Sequence, residues 1–107
     1  MDDRNFINAW DIKSKREEYF KETFDFDTFG KYLEKMFVDK GKNIISVEYK
    51  RRQYINKPTD NCKDLSVDNT SVYVSTEIME YLIDFLQSHG FFIKKYIGYF
   101  EISLYEQ

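Results

Sequence analysis

The chain offers few groups able to do covalent chemistry. His89 is its one histidine and Cys62 its one cysteine. A general base needs a partner that orients it, and no paired site is evident for His89. Its position before Gly90 reads as the end of a helix, where a cationic ring suits the helix dipole. Cys62 is flanked by Asp60 and Asp64, and neighbouring negative charge disfavours the reactive thiolate. A lone cysteine makes neither an internal disulfide nor a Cys-rich zinc site. Asp25 and Asp27 lack the further carboxylates and the glycine of a calcium loop. Either is well suited to capping a helix. No phosphate-binding glycine loop, G-x-S-x-G or H-E-x-x-H motif is present. The expectation is a protein that is not an enzyme and takes no metal or cofactor.

What remains is chemistry for binding. The stretch "YKRRQYINK" gathers Lys50, Arg51, Arg52 and Lys57 around Tyr49 and Tyr54. Arginine forks can grip a phosphate or a partner's carboxylates. Residues 43–57 carry four basic groups against one acidic, and residues 58–90 carry six acidic against one basic. Asp60, Asp64 and Asp68 belong to that acidic run. Such a dipolar surface can steer a complementary protein. Lys50, Arg51, Arg52, Lys57, Asp60, Asp64 and Asp68 are therefore the expected partner-binding residues. The second candidate is "GFFIKKYIGYFEISLY", residues 90–105. Phe92, Tyr96, Tyr99 and Tyr105 could stack bases as single-stranded nucleic-acid platforms do. Arg51, Arg52, Lys94, Tyr96 and Tyr99 would be the nucleic-acid-binding set. Against this, a net charge of −3 is low for such a binder, since phosphate affinity comes from many cations together.

The elements that must position these residues are legible from periodicity. Residues 2–24 read as a helix with apolar turns at Phe6, Ile7 and Trp10 and at Tyr19, Phe20 and Phe24, and with either a polar middle or a break near Asp11. Residues 25–41 read as a second helix, with Phe29, Leu33, Met36 and Phe37 on one face and Gly41 as its stop. "NIISVEYK" alternates, so Ile45, Val47 and Tyr49 share one face and Ser46, Glu48 and Lys50 the other. Residues 56–70 are polar and turn-rich and read as a long loop. "SVYVS" is a short strand. "TEIMEYLIDFLQSHG" is a helix with Ser75 or Thr76 as cap and Gly90 as stop. A tight turn at Ile97–Gly98 makes residues 91–105 a hairpin. Its register sets Lys94 opposite Glu101, puts Phe91, Ile93, Phe100, Ile102 and Leu104 on one face, and leaves Lys95 awkwardly at the apolar edge. The whole is one α+β domain, residues 1–107, with a helical part at 1–41 and a small, mainly antiparallel sheet with a β-α-β-β unit at 42–107. Trp10, Tyr19, Phe20 and Phe24 need burial. The N-terminal helices are therefore expected to cover the aromatic hairpin face. Self-association that buries this face is the other way to cover it.

A composition of 42% hydrophobic and 33% charged residues suits a globular domain. Ten Phe and nine Tyr let a short chain fill a core from few positions. No apolar run reaches the roughly 18 residues of a membrane helix, and the first ten residues have no apolar signal core. These features, with the unpaired cysteine, lead us to expect a cytoplasmic protein with no membrane partner. Phe, Ile, Lys, Asn and Tyr dominate while Ala9 is the lone alanine, a bias that points to an AT-rich genome.

The C-terminal half, "STEIMEYLIDFLQSHGFFIKKYIGYFEISLY", resembles the end of short phage and prophage proteins of low-GC Gram-positive bacteria. Those close with a helix, a "GF" or "GY" turn and a strand ending in a triplet like "ISW". Here the triplet is "ISL", Ile102 to Leu104, and the resemblance spans residues 42–105. It implies a phage accessory protein acting in the host cytoplasm, one that binds and inhibits a host defence or replication protein. It implies no catalytic residue. A nucleic-acid-binding regulator is the alternative.

Overall fold

The computed structural model describes residues 6–106 of the chain. Their elements follow the order α1 (Ala9–Thr23), α2 (Phe26–Glu34), β1 (Ile44–Lys50), β2 (Leu65–Val67), β3 (Val72–Ser75), α3 (Met79–Ser88), β4 (Phe92–Tyr96) and β5 (Tyr99–Ser103). The fold is α+β, as the periodicities predict. The strands make one sheet in the order β2-β3-β1-β5-β4. Only β1 and β3 run parallel; the other neighbours are antiparallel.

Local chemistry sets the helix ends. Asn8 caps α1 through its side-chain oxygen, which accepts from Asp11 N–H at 3.0 Å. Asp25 caps α2, accepting from the Thr28 amide at 3.1 Å and its hydroxyl at 2.7 Å. Burial works against the Asp25 charge, but the two hydrogen bonds from Thr28, with Thr59 and Asn61 nearby, lower the carboxyl's pKa. Past Glu34 the helix widens into a π-type turn, Lys35–Asp39, and stops at Gly41 with φ +62°. Lys42 N–H then donates to the Met36 carbonyl at 2.9 Å, the closing bond of a left-handed helix terminus.

The pairing register divides the sheet into two faces, because successive side chains of a strand alternate. Ile45 stands beside Ile102 and Ile93, and Val47 beside Phe100 and Lys95. With Leu65, Val72 and Val74 these residues face the helices, packed against Phe20, Phe24, Phe29, Leu33, Leu82 and Leu86. Lys95 is the one charged residue in those rows. It reaches the edge and donates to Glu80 of α3 at 2.7 Å, which resolves the awkward position its register assigns.

The structure departs from the sequence expectations in four places. Residues 56–70 are not all loop, since β2 forms there against β3 with Leu65 opposite Val74. A three-residue strand is too short to show alternation and exists by virtue of its partner. Second, α3 begins at Met79 with no side-chain cap, because the Ser75 hydroxyl is committed elsewhere. Third, α1 runs through Asp11 without a break, but Phe6 and Ile7 precede it and its start does not touch the core. Among its described apolar residues Phe20 is buried, whereas Trp10 and Tyr19 are 79% and 62% exposed. The part of the first predicted helix before residue 6 lies outside the described residues. Fourth, the N-terminal helices do not cover the aromatic hairpin face; they pack on the same side of the sheet as α3. The other side carries Glu48, Lys50, Lys94 and Glu101, and burying those charges would cost far more than the aromatics would return.

The β4–β5 hairpin turns on Ile97–Gly98, with φ +86° at Gly98. The Tyr49 hydroxyl holds this turn, donating to the Tyr96 carbonyl at 2.8 Å and accepting from Gly98 N–H at 3.2 Å. A Cβ at position 98 would touch no atom within 4 Å, so the cost of Gly98→Ala is purely conformational. It is expected to destabilise the domain by about 1–2 kcal/mol, read as a lower urea midpoint with unchanged slope. An unchanged midpoint would show that the turn does not hold the positive φ.

Candidate functional site: the uncovered sheet face

One row of side chains crosses all five strands on the uncovered face: Ser66, Tyr73, Glu48, Tyr99 and Tyr96. The next row holds Ser46, Glu101 and Lys94, and Phe92 lies at the β4 edge opposite Ser103. Alternation in β3 and in the hairpin explains how the aromatics come together. Each is out of phase with the core positions of its strand, as Tyr99 precedes buried Phe100 and Tyr73 separates buried Val72 from Val74.

The aromatic groups on this face are ordered by their neighbours. Tyr96 and Tyr99 stack with ring centroids 4.8 Å apart and planes 9° from parallel. Lys50 Nζ lies 4.4 Å from the centre of the Tyr73 ring, a cation–π contact. The Glu48 carboxylate raises the Tyr73 phenol's pKa, by hydrogen bonding and then by charge. Glu101 does the same to Tyr96, chiefly through a hydrogen bond. Tyr96 and Phe92 remain 38% and 43% exposed.

The charges here balance, Lys50 and Lys94 against Glu48 and Glu101. This bears directly on the nucleic-acid set. Tyr96, Tyr99 and Lys94 do share one face, but two carboxylates stand among them and repel phosphate. Arg52 is not beside them. Its Nε donates to Asp64 Oδ1 at 2.6 Å and its backbone N–H donates to the Glu77 carboxylate at 3.1 and 3.2 Å. Arg51 is exposed at the end of β1.

The partner-binding set predicted from the charge pattern divides in the same way. Asp64 is buried and accepts from the Ser75 hydroxyl at 2.6 Å as well as from Arg52. With Glu77, these residues join the turn after β1, the start of β2, the end of β3 and the approach to α3. Asp64 and Arg52 are thus committed inside the fold, and the charge run alone could not reveal it, since the partners lie 11 and 12 residues away. Lys57, Asp60 and Asp68 are exposed on the connection between β1 and β3, and Lys57 holds φ +54°. Lys50 alone of this set belongs to the uncovered face.

The remaining chemistry-bearing residues have structural roles. His89 Nδ1 donates to the Phe85 carbonyl at 2.9 Å at the end of α3. Cys62 is buried, and desolvation raises its thiol pKa, away from the thiolate. No helix among the described residues is long and apolar enough to cross a membrane. Sequence reasoning missed Tyr73 and Glu48 as members of the site. Their signal was the polar phase of two alternating strands, which identifies a face but not what lies across it. Comparison with protein-family models, curated proteins and solved structures returned no match.

Proposed function

We propose that this chain is a small non-enzymatic accessory protein of a phage or mobile element that binds and modulates a host protein in the host cytoplasm. The uncovered sheet face is its docking surface. One observation carries the reading: among the described residues the helices pack on one side, leaving an ordered, charge-balanced aromatic face on the other. Tyrosines give large contact area at low entropic cost and dominate protein interfaces. Balanced charges favour a folded protein over a polyanion, because an uncharged surface gains little from releasing phosphate counterions. The resemblance of residues 42–105 to phage accessory proteins supplies the host partner.

Tagged protein incubated with a low-GC Gram-positive lysate, with and without nuclease, tests this. A host protein is expected in both arms, and Tyr96→Ala/Tyr99→Ala should reduce its capture at least tenfold. Neither tyrosine is in the core, so the variant should fold, with a melting temperature lowered by no more than the loss of one stacked pair, about 0.5–1.5 kcal/mol. Capture abolished by nuclease would replace this reading with nucleic-acid binding. Capture indifferent to the two tyrosines would remove the face from the interface.

A further inference from the structure

We propose that two copies of the chain form a reciprocal dimer, each placing the start of α1 in an apolar groove of the other. The groove is a cavity of about 400 Å³ between α2 and the end of α3. Its walls include Phe29, Leu33, Phe37, Val38, Phe85 and Phe91, and its polar neighbours among the described residues are Glu34 and His89. Val38 is 70% exposed at its mouth, where the π-type turn swings the helix face outward.

The occupant is at the far end of the same molecule. Phe6, Ile7 and Trp10 are 72%, 45% and 79% exposed, the first two just before α1 and Trp10 in its first turn. The domain's radius of gyration is 15.6 Å, against about 13 Å for a compact chain of this length, because α1 extends beyond the body. The helix cannot fold back onto its own groove. Lys15 and Arg16 pass Glu77 and Ile78 before α3 begins, whereas the groove lies beside Phe85 and His89 at the end of α3. Ten helical residues of α3 and more than one further turn of α1 separate Trp10 from the groove by roughly 20 Å.

Area and charge both favour a second copy. The exposed parts of Phe6, Ile7 and Trp10 amount to about 400 Å². Counting the groove wall and both arms, a reciprocal pair buries roughly 1,000 Å², the size at which a specific but weak interface begins, whereas one arm alone gives half of that. Lys13 Nζ lies 5.8 Å from the Trp10 ring, so a cation accompanies the arm toward Glu34 on the groove wall.

Sedimentation of the full chain from about 1 µM to about 200 µM tests the proposal, with Trp10 fluorescence as an internal reporter. The expected result is a rise from 13.0 kDa toward twice that mass, with Trp10 emission moving to shorter wavelength. Val38→Glu should abolish both changes while Trp10 is still present. Lys13→Glu should weaken association several-fold and Glu34→Lys in the same chain should restore it. Tyr96→Ala/Tyr99→Ala should leave it unchanged, which separates this dimer from one built on the sheet face. A 13.0 kDa species throughout, or association that survives Val38→Glu, would overturn the proposal.

Discussion

Phe100→Ala is expected to bring the domain close to unfolding. Phe100 is fully buried in β5, opposite Val47 of β1 and Lys95 of β4. Truncating such a ring costs about 3–5 kcal/mol, from lost transfer energy and the cavity that remains. Whole domains have only about 5–15 kcal/mol to lose. In urea the midpoint should fall by about 2 M, if the slope is near 2 kcal/mol/M. Phe92→Ala supplies the contrast. Phe92 belongs to the same hairpin and is the same residue type, but it stands on the uncovered face and is 43% exposed. Its removal should change stability by about 0.5 kcal/mol or less. Equal costs at the two positions would mean that the hairpin register is wrong by one residue, since a single-residue slip exchanges the faces.

Asp64→Ala should be the most damaging change to a polar residue, about 2–3 kcal/mol. Two terms compete in that figure. The ion pair with Arg52 is the smaller, because the guanidinium is 42% exposed and water screens it. The larger is the Ser75 hydroxyl, which is fully buried and donates to Asp64 at 2.6 Å. Without its acceptor that donor has lost water and gained nothing. Asp64→Asn keeps an acceptor and should cost roughly half as much. The pair Asp64→Ala/Ser75→Ala should cost less than the sum of the two single changes, by at least about 0.5 kcal/mol. Additive losses would show that the two side chains do not share the bond. A neutral Asp64→Ala would return Asp64 to the surface as a candidate for a partner.

These two expectations also mark how far the sequence could be read. Phe100 was identifiable as core from alternation and a turn at Ile97–Gly98, both local. The same pattern placed Lys94 opposite Glu101, and the register agrees. Asp64 was read as part of an exposed acidic run, because nothing near it in the chain announces Arg52 or Ser75. The aromatic face was visible as a set of residues. Its neighbours Tyr73 and Glu48 were not, since they enter through the pairing of β1 with β3.

By itself the sequence determined the α+β class, a cap at Asp25 or Asp27, the stops at Gly41 and Gly90, the two faces of β1 and the hairpin register. Each is a property of a short segment, governed by backbone conformation or by the period at which apolar side chains recur. The tertiary structure decided the parallel pairing of β1 with β3, the existence of β2, the side on which the helices lie and the exposure of Trp10. The reason is energetic. A strand segment specifies which of its faces is apolar, but several elements compete to cover that face. The winner depends on burying the most apolar surface while leaving Glu48, Lys50, Lys94 and Glu101 in water, a sum over residues far apart in the chain.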